Sequence, residues 1–384
     1  MTFSSLHAYR PAVMLAMASA VLLSGCTKRV AEPPHSYAYV ANFGSNNVSV
    51  IDFASMKVTA TLPSGANPTA IAANPEKDEV YVVNSGADSV TVIDAAANRV
   101  AGRIPAGRNP VSISITGDGK RAWVANPSAN TVTALDLESH RPSGSISVGG
   151  EPIAVRVSAD GKYAATANRA DNSVSVIDAA AGRVRATLKV CQAPDSLVIL
   201  PDGSKAVVGC SGSRQVAIVN LKNALVEALL RVGGTPVDLA MKPDGGEVFV
   251  ANYEAQTISA VSPYTDEVSQ SFLAGDHPVR ALVSGDSSTL YVSNMSSNSV
   301  AVFDVTTRKL ITTVDVGTAP GALALSPAEN MLLVANSGSG DVAVLRLDKR
   351  HDKKVLAPPP RLFMMIPTGD RPIQIAVKTA RKAG

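Results

Sequence analysis

The sequence is poor in the residue types that build many enzyme and nucleic-acid sites. Its 384 residues include three cysteines, five histidines and one tryptophan, and aromatic residues make up 4% of the chain. Surfaces that could stack bases are therefore scarce. The net charge of only +3 gives no reason to expect a nucleic-acid partner. Hydrophobic residues reach 46%, which is typical of a globular chain with a large core.

Motifs of several catalytic classes are also missing. The chain has no G-x-S-x-G elbow, no H-E-x-x-H and no C-x-x-C-H haem attachment. His35, His140 and His351 lie in separate segments, and no His, Cys and carboxylate cluster has metal-ligand spacing. We therefore expect no metal, no cofactor and no catalytic residue. These absences favour a non-catalytic protein, although they leave the question of an enzyme open.

One apolar run stands apart from the rest of the chain. Arg10 precedes AVMLAMASAVLL at 12–23, a run too short to span a bilayer and followed by small residues, as in a signal peptide. Leu23-Ser24-Gly25-Cys26 resembles a bacterial lipobox, which implies that Cys26 carries lipid and begins the mature chain. The alternative is an ordinary secretory signal with an incidental cysteine. Either way we expect export. The lipobox implies anchoring to a membrane on the periplasmic side, with the outer membrane favoured.

A repeat of 42 residues occupies nearly all of the remaining chain. An asparagine ends a short apolar run in seven of the eight copies, and Cys210 replaces it in the fifth copy. The asparagines are Asn42, Asn84, Asn126, Asn168, Asn252, Asn294 and Asn336. A Gly-x-x-Pro unit recurs at the same step, for example GANP at 65–68 and GGTP at 233–236. Periods of 40 to 45 residues indicate propeller blades of four strands each.

The strand count predicts how the propeller closes. After Pro236, the segments VDLAMK, EVFVAN, TISAVS and DEVSQSF read as four strands, a to d, separated by turn residues. The first unit lacks strand a, and the final IQIAVK at 373–378 is a strand a with no b after it. We expect an all-β fold, an eight-bladed propeller closed by this strand, with seven blades as the alternative. The predicted domains are a signal at 1–25, a tether at 26–36, the propeller at 37–378 and a basic tail at 379–384.

The repeats resemble the YVTN-type β-propeller family, because the tetrapeptide occurs here as YVAN, YVVN, WVAN, FVAN and YVSN. The resemblance covers about residues 37–378 and implies the fold. That family includes surface-layer, periplasmic and accessory proteins, so it does not decide the function. Many relatives have seven blades, which is fewer than the count of eight in this chain.

Residues that recur in every blade mark what a blade needs in order to fold, so a binding site should lie where the blades differ. We expect loops d-a and b-c on one face, where the variable positions of Gly-x-x-Pro surround the mouth of the central channel. The candidate ligand residues are Asn67, Arg108, Asn109, Glu151, Asp276, His277, Asp370 and Arg371, joined by Asp238 and Arg280 on strand a.

Asp238 and Arg280 occupy the same position in neighbouring blades, and two interpretations are open. They form a structural ion pair between blades, or they help to bind a ligand at the channel.

The segment 348–361, DKRHDKKVLAPPPR, is about ten residues longer than its counterparts. It is either a solvated loop or a contact for a partner or an anionic surface.

The two interior cysteines lie at one blade junction. Cys191 replaces the glycine of Gly-x-x-Pro, and Cys210 replaces the asparagine at the end of strand b. Because the end of b should lie beside the start of a, we expect a disulfide in place of an asparagine that bonds the glycine loop elsewhere. Closing a loop of this length would contribute about 3 kcal/mol. A pair of free or reactive thiols is the alternative.

Together these features predict a lipid-anchored binding or scaffold module with a protein or small-molecule partner. One alternative is an enzyme or a cofactor-handling propeller, similar to haem d1 nitrite reductases, quinone-dependent dehydrogenases or lactonases. Another is a cell-envelope structural protein that associates with itself.

Overall fold

The computed structural model describes residues 35–347 and 358–380, and it forms eight antiparallel sheets of four strands. Each sheet is one blade, with strand a innermost and strand d outermost. Alternating β-branched residues favour the strands, and Gly, Asn, Asp and Pro break the chain between them. The predicted eight-bladed propeller is confirmed.

Blades 1 to 4 occupy the first half of the chain, apart from one strand. Blade 1 contains Pro372–Ala380, His35–Asn42, Asn47–Asp52 and Lys57–Pro63 as strands a to d. Blade 2 contains Pro68–Ala73, Glu79–Asn84, Ser89–Asp94 and Arg99–Pro105. Blade 3 contains Ser112–Ile115, Arg121–Asn126, Thr131–Asp136 and Arg141–Ser147. Blade 4 contains Pro152–Val157, Tyr163–Asn168, Ser173–Asp178 and Arg183–Lys189.

Blades 5 to 8 follow the same order. Blade 5 contains Pro194–Ile199, Lys205–Cys210, Gln215–Asn220 and Leu225–Arg231. Blade 6 contains Pro236–Met241, Val248–Asn252, Thr257–Ser262 and Glu267–Leu273. Blade 7 contains Pro278–Val283, Thr289–Asn294, Ser299–Asp304 and Leu310–Asp315. Blade 8 contains Pro320–Leu325, Met331–Asn336, Asp341–Arg346 and Arg361–Pro367. Two short 3₁₀ helices, Ser85–Ala87 and Pro127–Ala129, lie in b-c loops.

The C-terminal strand closes the ring by pairing with the first strand of the chain. His35 lies opposite Ala380, Tyr37 opposite Lys378 and Tyr39 opposite Ala376. These strands extend two residues past the predicted bounds of 37 and 378. The extension occurs on both strands together because each added residue finds a partner on the other strand. Pairing across the junction removes two exposed sheet edges.

The core lies between neighbouring blades. Strands b and c are buried along almost their whole length, whereas strand d alternates between exposed and partly buried residues. Tyr39 and Val50 of blade 1, for example, pack with Val80 and Val82 of blade 2. Strand a of each blade contacts strand a of the next, including blade 8 with blade 1, so the eight strands surround a central channel.

Several predicted features lie outside the described residues. They are the signal peptide at 1–25, Cys26 with most of the tether, residues 348–357 of the long loop, and the tail from residue 381. Within the described ranges, no helix is long and apolar enough to cross a bilayer.

Candidate functional site

The Gly-x-x-Pro turns and the b-c loops lie together on one face of the propeller. Phe43 N of a b-c loop donates to Arg371 O of the adjacent d-a turn at 2.9 Å. The Asn67 N–H likewise donates to Asn46 Oδ1 at 2.7 Å. The bond from the first residue of the b-c loop recurs in seven of the eight blades, and the linked loops form a rim on this face.

The second variable position of the turn has a structural task in most blades. Asn67, Asn109, Glu151, His277 and Arg371 all have a φ angle between 53° and 56°. Asparagine tolerates this left-handed conformation well, while the other residue types adopt it at some strain. These candidate ligand residues therefore lie on the rim, where each occupies the left-handed position of a recurring turn.

The charged rim residues make local contacts with their neighbours on the rim. His277 Nδ1 lies 2.8 Å from Asp276 Oδ1, and the His277 ring lies 4.4 Å from that of Tyr253. Arg371 stands over Phe43, 5.0 Å from the ring centroid. The remaining rim candidates are Arg108 and Asp370, both exposed.

A cavity of about 240 Å³ lies deeper, inside the ring of strands a. Asp238 and Arg280 line it, and the other eight predicted ligand residues do not. Its polar lining comes from Thr69, Ser112, Arg156, Asp195, Ser196, Asp238, Arg280 and Gln374. We therefore take this cavity, with Asp238 and Arg280 in its lining, as the candidate site.

Asp238 and Arg280 form an ion pair between blades 6 and 7. Arg280 Nη1 lies 3.2 Å from Asp238 Oδ1, and the Ala281 N–H donates to Asp238 Oδ2 at 3.0 Å. Strand a is an edge strand on its inner side, so its N–H groups need partners from side chains. Ser112 acts in the same way, accepting from the Val155 N–H of the next blade at 3.3 Å.

Two charged residues of the cavity, Asp195 and Arg156, are not among the ligand residues predicted from the sequence. Asp195 accepts hydrogen bonds from Arg169 Nε and from the Ser211 hydroxyl. Arg156 remains accessible to water in the cavity, and Nη1 donates to Val155 O at 2.8 Å. Desolvation lowers the pKa of the Arg156 guanidinium; Asp238 raises that pKa and Arg280 lowers it. The charges of Arg156, Asp238 and Arg280 therefore influence each other.

A comparison of blades by position would have revealed Arg156. It stands four residues after the proline that begins strand a. The other blades have Ala72, Ser114, Val198, Ala240, Leu282, Ala324 and Ala376 at that position. Arg156 is the one charged residue in this set. The predicted pair, Asp238 and Arg280, stands two residues nearer the proline in its own blades.

The predicted disulfide between Cys191 and Cys210 is confirmed, with Cα atoms 5.7 Å apart.

The asparagines that end strand b in the other blades do not generally bond the glycine loop, so the prediction of that hydrogen bond was wrong. Asn168 Nδ2 instead donates to Ser173 Oγ at 3.1 Å and to Ser175 Oγ at 2.9 Å, both on strand c. A link of the predicted kind occurs in blade 3, where the Gly107 N–H donates to Asn126 Oδ1, and in blade 7.

The glycine is needed because the asparagine packs against it. A Cβ at Gly107 would overlap Asn126, and one at Gly149 would overlap Asn168. Replacing either residue of such a pair alone would therefore disturb the turn. In blade 5 both residues are exchanged together, which places two sulfur atoms in the space of the asparagine side chain.

Groups of three or more His, Cys, Asp or Glu side chains that could hold a metal do not occur among residues 35–347 and 358–380. The polar groups of the channel instead comprise guanidinium, carboxylate, hydroxyl and amide. Such a set can bind a polar solute through hydrogen bonds and charge.

Comparison with known families gives one partial match. The model of a family described as lactonase, 7-bladed beta-propeller, matches residues 279–354, which is well under half of the chain. That family has seven blades, whereas this chain has eight. No curated protein matches.

Solved structures share the fold at low sequence identity. Hydrazine synthase of Kuenenia stuttgartiensis is 20% identical, with a TM-score of 0.59 over 73% of this chain and 95% of that one. A dihydro-heme d1 dehydrogenase, NirN, in complex with DHE is 15% identical, with a TM-score of 0.71 over 88% and 74%. A protein of unknown function from Desulfotomaculum acetoxidans is 16% identical, with a TM-score of 0.61 over 79% and 100%. These similarities establish the propeller fold.

Proposed function

We propose that this protein is a non-catalytic binding module that takes up a small polar solute in its central channel. The observation that supports the proposal is the cavity of about 240 Å³ with Arg156, Asp195, Asp238 and Arg280 in its lining. Asp195 and Asp238 are engaged by Arg169 and Arg280, whereas Arg156 is exposed to the cavity without an ion-pair partner among the described residues. The faces of the propeller remain available for a protein partner, and nucleic acid is not part of the proposal.

The volume limits the size of the solute. One water molecule occupies about 30 Å³ in the liquid, so the cavity has room for about eight. Drug-sized ligands fill pockets of about 300 to 1,000 Å³. The proposed solute is therefore smaller than a drug-sized ligand.

We further propose that the protein is a YVTN-type lipoprotein, exported and held at the periplasmic face of a membrane by lipid on Cys26. The support is the apolar run at 12–23 followed by the lipobox-like Leu23-Ser24-Gly25-Cys26. Two or three acyl chains give stable anchoring, because each buried CH₂ contributes about 0.8 kcal/mol. Metabolic labelling with a palmitate analogue should mark the wild type and leave Cys26→Ser unlabelled. Equal labelling of both would refute the anchor.

Obstruction of the channel tests the binding function. Ala70 lines the cavity and also packs against the core between blades 2 and 3, so Ala70→Trp, with its fold checked by circular dichroism, should reduce the volume of the cavity. Gly102 on outer strand d of blade 2 has no atom within 4 Å of a built Cβ, so Gly102→Trp is a control of equal bulk. Native mass spectrometry after incubation with a periplasmic extract should show a bound solute on the wild type and on Gly102→Trp. The same mass on Ala70→Trp, or no bound mass at all, would contradict channel binding.

Lactone hydrolysis is the second candidate function. The match to the lactonase model over residues 279–354 favours it, and that segment includes Arg280 of the cavity. A panel of lactones assayed by pH-stat titration separates the two candidates. Under the binding proposal no lactone is hydrolysed above the spontaneous rate. Turnover that Arg280→Gln abolishes would favour the enzyme instead.

A further inference from the structure

Arg156 faces the cavity with most of its hydrogen-bond donors unused. Nη1 donates to Val155 O at 2.8 Å and to Ser112 Oγ at 3.4 Å. Among the residues that the structure describes, Nε and Nη2 have no hydrogen-bond partner, and no carboxylate lies within ion-pair distance. A guanidinium has five N–H groups in a fixed fork, so one edge of Arg156 is free to bind an acceptor.

The two aspartates of the cavity are already engaged by other groups. Asp238 accepts from Arg280 Nη1 through Oδ1 and from the Ala281 N–H through Oδ2. Asp195 accepts from Arg169 and Ser211. Each aspartate is therefore held by groups other than Arg156, and neither forms an ion pair with Arg156.

The propeller fold itself does not need Arg156. Seven blades have an uncharged residue at the same position. Arg156 is exposed to the cavity, so water can reach its free donors in the empty protein. A charged residue that does not serve the fold is expected at a binding site.

The charge and the volume together limit the chemistry of the ligand. The planar fork of arginine matches a carboxylate through two parallel hydrogen bonds. A phosphate dianion would need a second free cation, and Arg280 is held by Asp238. A neutral solute would leave Arg156 without a counter-ion.

We propose that Arg156 binds the carboxylate of a small organic acid in the central channel. This inference rests on the proposed binding function and names the class of solute. One carboxylate would accept hydrogen bonds from Nε and Nη2 of Arg156. The rest of the molecule would lie among the polar groups of the lining, which include the Gln374 amide and the Thr69 hydroxyl.

Calorimetric titration tests the assignment with defined probes. Acetate, lactate and succinate supply carboxylates, inorganic phosphate supplies another anion, and glycerol supplies a neutral solute of similar size. We expect saturable binding of at least one carboxylate at one molecule per chain. Arg156→Gln should weaken it at least tenfold, and Arg156→Lys should weaken it less, because the charge remains while the fork is lost.

A matched variant and a stability measurement accompany the titration. Arg103 lies on outer strand d of blade 2, and its Nη2 donates to Ser64 O at 2.6 Å. Arg103→Gln should bind the carboxylate as the wild type does. Thermal melting of Arg156→Gln should give a nearly unchanged Tm, since Arg156 is exposed to the cavity and makes no ion pair among the described residues. A clear loss of Tm would show that Arg156 serves the fold, which would overturn the assignment.

Other results would also overturn it. These are equal affinity in Arg156→Gln and the wild type, tighter binding of phosphate or glycerol than of any carboxylate, or no binding of any carboxylate. Binding of a solute that Ala70→Trp abolishes and Arg156→Gln preserves would retain the channel function and reject the carboxylate. Absence of any bound solute would reject both proposals.

Discussion

Arg280 of blade 7 reaches back to Asp238 of blade 6, with Nη1 3.2 Å from Oδ1. The other carboxylate oxygen accepts from the Ala281 N–H at 3.0 Å. One aspartate thus satisfies a guanidinium and an inner-edge amide of the next blade. The pair ties two blades together, and each oxygen of Asp238 accepts one hydrogen bond.

This ion pair should show measurable coupling. Arg280 is 40% exposed, so solvent screens the pair, and we expect about 1 kcal/mol of interaction between the two side chains. Urea unfolding of Asp238→Asn, Arg280→Gln and the double variant measures it. The double variant should be less destabilised than the sum of the single variants. Strict additivity would show that the two charges do not stabilise each other.

Loss of the disulfide should destabilise the protein by about 3 kcal/mol, because Cys191 and Cys210 close a loop of 19 residues. Cys191→Ala with Cys210→Ala removes the link without introducing the glycine and asparagine of other blades. Denaturant unfolding under non-reducing conditions provides the measurement. An unchanged midpoint in the double alanine variant would contradict this role.

The repeat suggests a matched rescue of that variant. Blade 4 pairs Gly149 with Asn168, whose Nδ2 bonds Ser175 on strand c. In blade 5 the residue equivalent to Ser175 is Ala217. Cys191→Gly, Cys210→Asn and Ala217→Ser together should therefore recover at least about 1 kcal/mol over the double alanine variant. No recovery would mean that the hydrogen bond from the asparagine to the serine of strand c contributes little to the free energy of unfolding.

Acid should destabilise the propeller through its turn aspartates. Hydrogen bonds from the Thr116 hydroxyl to Asp118 and from the Ser139 N–H to Asp136 lower the pKa of each carboxyl. The Ser158 hydroxyl likewise lowers the pKa of Asp160 to about 2. Because the folded pKa values lie below the unfolded value of about 3.9, the stabilisation is present above that pH. It is lost as the pH falls through the folded values.

Thermal melting between pH 5 and pH 2 measures this loss. The variant with Asp118→Asn, Asp136→Asn and Asp160→Asn should be less stable than the wild type at pH 5. Its stability should fall less steeply as the pH is lowered. A variant with the same pH dependence as the wild type would show that other groups cause the acid sensitivity.

Closure of the ring should depend on the last strand. Truncation after Arg371 removes Pro372–Ala380, which leaves His35–Asn42 as an unpaired edge and takes Gln374 out of the channel lining. We expect loss of cooperative unfolding and aggregation, because an exposed edge can pair with other chains. Truncation after Ala380 is the control and should behave as the full chain. A monomeric, cooperatively folded protein ending at Arg371 would contradict the importance of closure.

The fold was predictable because every blade repeats the same requirements. The spacing of Asn42, Asn84 and their equivalents indicated the blade length, and the unpaired strand after Pro372 indicated the closure. Cys191 and Cys210 could be paired because the blade pattern placed the end of strand b beside the start of strand a. The 42-residue period was therefore sufficient to predict the propeller architecture and the disulfide.

The site was less predictable because it depends on side-chain direction. The turn residues Asn67 and Asn109 were expected around the mouth of the channel, and the structure places them on the rim of that face, in a left-handed turn and outside the lining of the cavity. Arg156 interrupts an uncharged position on the inner strand, so a comparison of the blades at that position could have identified it. Its unpaired state could not have been read from the sequence, because it depends on what Asp195 and Asp238 contact.

A crystal structure of the protein soaked with lactate tests the channel most directly. The proposals predict one lactate inside the ring of inner strands, with its carboxylate within hydrogen-bond distance of Nε or Nη2 of Arg156. Crystals of Arg156→Gln, soaked in the same way, should contain no lactate at that position. Lactate bound only on the rim or outer strands, or equally in both crystals, would contradict the account.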